Sequence, residues 1–299
     1  MPDLITPAYR GASLLAQRLP ATVVDRGAPA LAAAAALLPG ERRAMVERHQ
    51  RRIEPSLRGA ALRRRVRDVY RSYGRYWGES FRLPTVTPSE LDARISYEGY
   101  EHVRGAIERG IGPVLVLPHL GSWEWCAYWL TQVETTPVTA VVERLEPPAL
   151  FEWFTRFREQ IGIDVVPVGP DAGRAVMRAI KECHVVALLS DRDITGTGVE
   201  VTFFGERTTL PPGPAVLALR TGAPLLPTAV YDREGGNHHG VVRPPIPVER
   251  QGTFREDVAR ITQVIAHELE DLIRAAPEQW HLMQPNWPSD TADAGPVRL

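Results

Sequence analysis

The chain has 299 residues, of which 44% are hydrophobic and 24% are charged, and its formal net charge is −1. This composition is typical of a globular protein with a sizeable core, and the near-neutral charge argues against a nucleic-acid partner. The two cysteines, Cys126 and Cys183, exclude a disulfide framework and form no metal-ligand cluster, so we expect a reducing compartment, no metal and no other cofactor.

Residues 1–95 are predicted to form a helical N-terminal part that faces the membrane. Four prolines are expected to break its helices: Pro20, Pro29, Pro39 and Pro55. The longest apolar run, 28–38, is much shorter than the roughly 20 residues that a membrane-spanning helix needs. Residues 1–20 also lack the continuous apolar segment of a signal peptide. We therefore expect a protein that lies on a membrane, if it acts on lipid, and does not cross it.

An arginine-rich stretch runs through residues 41–82, with thirteen arginines against five acidic residues. Within it, residues 62–81 place apolar and aromatic side chains on one side of a helix and arginines on the other. The apolar side could pack on the core, with the arginines in solvent. Alternatively, the basic helix could lie against an anionic membrane surface.

Residues 96–288 are predicted to form an α/β core, and residues 289–299 a disordered tail. Short β-like runs alternate with helical stretches, which indicates an α/β fold with a central mixed sheet flanked by helices. The predicted strands are 114–117, 138–142, 165–168, 185–189, 199–204 and 225–230. The predicted helices are 99–109, 123–131, 148–161, 172–183, 214–221 and 254–275.

The segment 114–124 contains the sharpest chemical pattern in the sequence. A buried strand ends just before His119, and a helix is expected to begin near Ser122, which can cap it. Ligand and catalytic groups gather at the carboxyl ends of strands in open α/β sheets. Glu124 in the first helical turn could hold one nitrogen of His119 and leave the other as a base. A structural histidine beside a helix cap is the alternative, because this spacing is common by chance.

Two further strands end in charged residues. Glu143 and Arg144 follow the predicted strand 138–142, and Asp191, Arg192 and Asp193 follow 185–189. Three charged strand ends suggest that these residues share one cleft with His119. Ordinary surface ion pairs are the alternative for each group taken singly.

Several sequence blocks together resemble one enzyme family. His119 and Glu124 match the His-x4-Asp/Glu signature of the glycerolipid and lipid A acyltransferases. The later blocks are similar to the phosphatidylinositol mannoside acyltransferases, which are relatives of the lipid A late acyltransferases. These blocks are Val142-Glu143-Arg144, 154–162, Asp191-Arg192-Asp193, Phe203-Phe204-Gly205 and 280–287. The similarity covers nearly the whole chain.

This resemblance implies a set of site residues. His119 matches the family's proton acceptor and Glu124 its partner acid, while Asp191 matches a position implicated in catalysis, where a relative carries glutamate. Glu143 matches an acidic residue that lines the sugar end of the cleft. The donor side would include Arg158, which matches a donor-contacting arginine, and Thr197, which matches a small hydroxyl residue. Arg192, from the strand-end group, completes the substrate-binding candidates.

The resemblance also implies the substrates and the location. The donor would be acyl-CoA, with palmitoyl as the acyl group, and the acceptor a mannose hydroxyl of a phosphatidylinositol mannoside. The protein would attach peripherally to the cytoplasmic face of the cell membrane. In the expected mechanism His119 takes the hydroxyl proton, and backbone N–H groups near Gly121 stabilise the oxyanion.

Three other functions are compatible with parts of the sequence. One is an acyltransferase of the same superfamily with another acceptor, such as a lipid A-type disaccharide or glycerol phosphate. The second is an acyl-ester hydrolase, but the sequence lacks the Gly-x-Ser-x-Gly elbow that such an enzyme uses. The third is a non-enzymatic lipid-binding protein on the same fold, which would bind lipid without turnover.

Overall fold

The N-terminal part of the protein is helical, as predicted. The computed structural model describes residues 3–292. Its first five helices are α1 (Ile5–Arg18), α2 (Ala21–Ala35), α3 (Glu41–Ile53), α4 (Gly59–Arg82) and α5 (Pro88–Ala93). The division of the chain at residues 95 and 96 stays a prediction.

Proline 29 does not break a helix, contrary to the sequence prediction. It lies inside α2, whereas Pro20, Pro39 and Pro55 lie outside helices. Helix α2 packs closely along α4, where a β-carbon added to Gly74 would lie 2.5 Å from the carbonyl oxygen of Ala28. We attribute the tolerance of the proline to this packing, because helices in proteins are stabilised mainly by tertiary contacts.

The apolar side of α4 packs on the core. Val66 and Val69 are at most 1% exposed, while Arg63, Arg64 and Arg67 on the same helix are exposed. Of the two interpretations of residues 62–81, core packing is therefore confirmed for the apolar side. Whether the exposed arginines contact a membrane stays a prediction.

The core contains a seven-stranded mixed sheet, which confirms the predicted fold class. Its strands are β1 (Ile95–Glu98), β2 (Val114–Leu117), β3 (Val138–Val142), β4 (Ile163–Pro167), β5 (Val185–Leu189), β8 (Leu225–Asp232) and β9 (His238–Val242). They lie in the order β1-β9-β8-β2-β5-β3-β4, and only the β8–β9 pair is antiparallel. β6 (Val199–Phe203) and β7 (Glu206–Leu210) form a separate antiparallel hairpin.

Helices cover both faces of this sheet. They are α6 (Glu101–Glu108), α7 (Trp123–Gln132), α8 (Pro148–Gln160), α9 (Ala172–Lys181), α10 (Gly213–Thr221) and α11 (Phe254–Ala275); the short last helix, α12 (Pro288–Ala292), contacts α3 instead. Successive side chains of a strand point to opposite faces. Accordingly Val114 and Val116 pack with α9, α10 and α11, whereas Leu115 and Leu117 pack with α6 and α7. Central strand β2 is buried along its whole length.

The register of two central strands positions the candidate site. β2 and β5 are parallel neighbours, and Leu117 pairs with Leu189 at their carboxyl ends. The residues that follow the two strands therefore leave the sheet side by side. His119 and Asp191 each lie two positions beyond this last pair.

The chain stays ordered further than the sequence analysis predicted. Residues 289–292 belong to α12 instead of a disordered tail, because Asp290 ties this helix to the N-terminal part. Its buried carboxylate pairs with Arg52 at 2.7 Å and accepts hydrogen bonds from the N–H groups of Asn286 and Trp287. The rest of the predicted tail, 293–299, lies outside the described residues.

Among the helices of residues 3–292, none combines the length and the apolar character that crossing a bilayer requires.

Candidate active site

The imidazole of His119 pairs with the carboxylate of Asp191. His119 Nδ1 lies 2.6 Å from Asp191 Oδ1, and the His119 N–H donates to Asp191 Oδ2 at 2.9 Å. A carboxylate that accepts the Nδ1 proton leaves the lone pair of Nε2 available as a base. The His119 side chain is 33% exposed while Asp191 is fully buried, so the pair presents its histidine to the site.

The C-terminal segment holds Asp191 in place. Trp280 Nε1 donates to Asp191 Oδ2 at 2.7 Å, and Asn286 Nδ2 donates to the Asp191 carbonyl oxygen at 2.9 Å. The backbone N–H of His281 donates to the His119 carbonyl oxygen at 2.8 Å. Both members of the pair are thus anchored from the same segment, which lies about 90 residues beyond Asp191.

The electrostatics of the pair suit a base held by a carboxylate. Burial disfavours the imidazolium, but the charge and hydrogen bond of Asp191 outweigh it and raise the pKa of His119 above its usual value. Burial also acts to raise the pKa of Asp191, yet the contacts with His119 and Trp280 bring that pKa below its usual value. The carboxylate therefore stays ionised and favours proton uptake by the ring.

Glu124 does not make the contact with His119 that the sequence analysis predicted. Its Oε1 atom accepts hydrogen bonds from Tyr76 at 3.0 Å and from Arg158 at 3.1 Å. The side chain is buried in the first turn of α7 and is held between α4 and α8 by these two donors. Asp191 makes the contact that was expected of Glu124, because the pairing of β2 with β5 brings Asp191 to the Nδ1 side of the His119 ring.

The turn between His119 and α7 also differs from the prediction. Gly121 has φ +58°, and a β-carbon there would lie 1.8 Å from the Val230 carbonyl oxygen, so the turn requires glycine. Its N–H donates to the Gln279 carbonyl oxygen, so this one of the backbone donors expected for an oxyanion is already bonded. Ser122 precedes α7 without a side-chain cap, and its hydroxyl donates to Glu79 instead.

A cavity of about 730 Å³ opens beside the His119 ring. Its polar lining includes four of the predicted site residues, Glu143, Arg158, Arg192 and Thr197. The apolar lining comes from the ends of β3 and β5 and from α8, α9 and α10; it includes Val141, Leu150, Phe154, Val176, Leu188, Val216 and Leu217. All three charged strand ends reach this cavity through His119, Glu143, Arg192 and Asp193, whereas Arg144 and the buried Asp191 do not line it.

The predicted substrate-binding residues differ in their partners. The guanidinium of Arg158 pairs with buried Glu124 at 3.1 Å, whereas Arg192 reaches Glu143 at 3.4 Å. Thr197 is exposed on the loop before β6, where its hydroxyl lies 2.7 Å from that of Thr195. These contacts locate the residues at the cavity, and their roles toward substrate stay predictions.

Sequence reasoning assigned three residues of the site no role or a structural one. Trp280 and Asn286 hold Asp191, and His281 lines the cavity with its Nε2 2.9 Å from the Ser72 hydroxyl. Burial lowers the pKa of His281 to about 4, so this ring is neutral. The only available signal was the aromatic and polar block 280–287, which could not show what its members contact.

Comparisons with known proteins identify the family of this chain. The family model of the bacterial lipid A biosynthesis acyltransferases matches residues 4–289. The phosphatidylinositol mannoside acyltransferase of Mycobacterium tuberculosis H37Rv is 40% identical over 233 residues, which cover 76% of this chain and 72% of that protein. Its namesake from Mycolicibacterium smegmatis is 36% identical over 237 residues, covering 78% and 76%. The chain therefore belongs to the bacterial lipid A biosynthesis acyltransferase family and is an acyltransferase.

Proposed function

We propose that this acyltransferase moves a long-chain acyl group, palmitoyl in particular, from acyl-CoA to a mannose hydroxyl of a phosphatidylinositol mannoside. The observation that carries the proposal is the His119–Asp191 pair at the edge of a cavity with polar and apolar walls. The acceptor class comes from the names of the relatives, which are 36–40% identical to this chain.

In the proposed mechanism His119 is the general base. Its Nε2 removes the proton of the mannose hydroxyl as the oxygen attacks the thioester carbonyl carbon. The tetrahedral intermediate then collapses with cleavage of the carbon–sulfur bond. The CoA thiolate leaves and takes up the proton from the imidazolium, while Asp191 stabilises that imidazolium without being protonated itself.

We assign a side-chain cation to the oxyanion, because the N–H of Gly121 already donates to the Gln279 carbonyl oxygen. Arg158 lines the cavity, and its Nε has no hydrogen-bond acceptor among residues 3–292 although it is buried. A buried donor of this kind favours an anionic or carbonyl oxygen as its partner. We assign Arg158 to the thioester side, and Arg192 with Glu143 to the sugar hydroxyls.

The apolar walls support a fatty acyl chain as the transferred group. The cavity volume of about 730 Å³ falls within the range of about 300–1,000 Å³ that is typical of small-molecule sites. Aliphatic side chains on β5, α9 and α10 line it together, among them Leu188, Val176 and Leu217. Polar substrates would leave these walls without partners, whereas an acyl chain buries them.

Peripheral attachment to the cytoplasmic face of the cell membrane is part of the proposal. Most of the large exposed hydrophobic side chains of the described residues lie on and around α1 and α2, including Leu14, Leu15, Leu31 and Leu37. Helix α4 adds exposed arginines that would favour anionic lipid headgroups. An apolar region beside basic residues suits an enzyme whose acceptor stays in the bilayer.

One assay separates this proposal from its rivals. The purified protein is mixed with palmitoyl-CoA and, in turn, a phosphatidylinositol mannoside, a lipid A-type disaccharide, glycerol phosphate or no acceptor. Thiol release and product mass are then measured. Release that requires the mannoside supports the proposal, whereas release with another acceptor assigns that acceptor. Acceptor-independent release would indicate a hydrolase, and binding without release a lipid-binding protein.

Glu124 is expected to support Arg158 and not His119. Glu124→Ala leaves the Arg158 guanidinium without its buried partner, which should cost about 3–5 kcal/mol of unfolding free energy. Glu124→Gln keeps the volume and should mainly raise KM for palmitoyl-CoA, because Arg158 loses its orientation. Denaturant unfolding measures the first effect and steady-state kinetics the second.

The matched control for Glu124 is an exposed ion pair on α8. Glu152 lies near Arg156, and both side chains are at least 64% exposed, so Glu152→Ala should change stability by no more than about 0.5 kcal/mol. If Glu124→Gln left KM unchanged and instead moved the pH dependence of turnover, Glu124 would act through His119, and our assignment would be wrong.

A further inference from the structure

Three buried polar side chains meet behind the catalytic loop, outside the cavity. Glu79 comes from α4, Asp232 from the end of β8, and His238 from the start of β9. They are 8%, 5% and 1% exposed. Asp232 and His238 are register partners across the antiparallel β8–β9 pair, which places both side chains on the same face of the sheet. One ligand-type atom from each of the three residues lies within 4.8 Å of the other two.

Four polar atoms of this cluster lack hydrogen-bond partners. Neither carboxylate oxygen of Asp232 and neither ring nitrogen of His238 makes a hydrogen bond to any residue from 3 to 292. His238 Nδ1 lies 3.3 Å from Asp232 Oδ1, and His238 Nε2 lies 3.8 Å from Glu79 Oε2, without hydrogen-bond geometry. Native proteins rarely leave buried polar atoms unpaired, so four in one place indicate a missing ligand.

Charge identifies the kind of ligand. The cluster holds two carboxylates, and Arg75 pairs with one of them from outside, its Nε 3.4 Å from Glu79 Oε1. This leaves Glu79 Oε2 for the interior of the cluster, where it accepts one hydrogen bond from Ser122 at 3.2 Å. The ligand-type oxygens of Glu79 and Asp232 lie within 4.8 Å of each other, so the two carboxylates repel. A cation inside the cluster would relieve this repulsion.

We propose that Glu79, Asp232 and His238 bind one divalent transition-metal ion, for which Zn²⁺ is the best match. Two carboxylate oxygens and one imidazole nitrogen suit Zn²⁺ or Mn²⁺. The imidazole disfavours Mg²⁺ and Ca²⁺, which prefer all-oxygen shells. The expectation from the sequence that the protein holds no metal rested on local spacing, whereas Glu79 lies about 150 residues before Asp232 and His238.

The ion would hold neighbouring elements of the fold in place and would not touch substrate. None of its three ligands lines the cavity. The side-chain amide of Gln279 accepts a hydrogen bond from the Asp232 N–H and donates one to the Asp232 carbonyl oxygen. The Gln279 carbonyl oxygen accepts from the N–H of Gly121, two residues beyond His119. The ring of Trp125 stacks on His238 at a centroid distance of 4.4 Å and fixes its plane. A bound ion would therefore tie α4 and the β8–β9 hairpin to the loop that carries His119.

Metal content of the full-length protein tests the proposal directly. The protein is purified without a polyhistidine tag, incubated with Zn²⁺ or Mn²⁺, desalted and examined by elemental mass spectrometry. We expect about one ion per chain, a fall in Tm when a chelator removes it, and recovery of Tm when Zn²⁺ is restored. A folded wild-type protein that retains no ion, and whose Tm responds to neither chelator nor Zn²⁺, would overturn the proposal.

Substitutions that keep side-chain volume locate the ion. Asp232→Asn and Glu79→Gln should each lower metal affinity by at least about 10-fold. His267→Ala, which removes an exposed histidine on α11, should leave metal affinity unchanged. If both folded variants bound Zn²⁺ as the wild type does, the ion would lie elsewhere and the assignment would fail. None of these measurements depends on the acyl acceptor, so they stand apart from the transfer assay.

Discussion

Replacement of His119 by alanine is expected to lower the rate of acyl transfer by about 10²- to 10⁴-fold, which is the usual contribution of general base catalysis. The substitution removes the imidazole, and with it the Nε2 atom that the His119–Asp191 pair presents to the cavity. The fold should survive, because the side chain is 33% exposed and Asp191 keeps its bonds to the His119 N–H and to Trp280. Thiol release from palmitoyl-CoA measures the rate.

The control for this prediction is a histidine outside the site. His267 is exposed on α11 and makes a hydrogen bond with Gln263, so His267→Ala should keep transfer and Tm at wild-type levels. Circular dichroism and Tm establish whether His119→Ala is folded. Near-normal transfer by the folded variant would rule out His119 as the base.

Asp191→Asn is expected to have an effect of similar size, about 10⁴-fold on kcat, because an amide cannot fix the Nδ1–H tautomer of His119 or stabilise its imidazolium. The variant keeps the volume of the side chain and its contact with Trp280. Steady-state kinetics at saturating palmitoyl-CoA measure the loss. An asparagine variant with wild-type kcat would show that the 2.6 Å contact has no catalytic role.

The pH dependence of turnover tests the same pair of residues. Transfer needs neutral His119, and Asp191 raises the pKa of this histidine above its usual value of 6.5. Activity should therefore fall as the pH drops through a value above 6.5. Asp191→Asn removes the negative charge that raises the pKa of His119. The residual activity of this variant should therefore fall at a lower pH than that of the wild type.

The contrast between two carboxylates makes this test specific. In Glu124→Gln, activity should fall at the same acidic pH as in the wild type, since Glu124 contacts Tyr76 and Arg158 instead of His119. If this pH shifted in Glu124→Gln and not in Asp191→Asn, Glu124 and not Asp191 would be the partner of His119.

Local sequence pattern predicted most of the regular structure. The strands 114–117, 138–142 and 185–189 and the helix 254–275 have the predicted bounds, because a buried apolar run and a 3.6-residue period are local properties of the chain. Three strands were missed, β1, β7 and β9. They are short and carry polar or glycine residues, as in Glu206–Leu210 and His238–Val242, and only their pairing partners make them strands.

The sequence alone determined the fold class, the family resemblance and the position of His119 at the end of a buried strand. Strand order decided the rest, since Asp191 lies 72 residues from His119 and meets it only because β5 lies next to β2. Glu79, Asp232 and His238 likewise meet only when α4 packs behind the β8–β9 pair. Hydrophobic periodicity specifies which face of an element is buried, but not which elements become neighbours. For this reason the position of His119 was predictable from the sequence, whereas its carboxylate partner and the proposed metal-binding cluster required the tertiary structure.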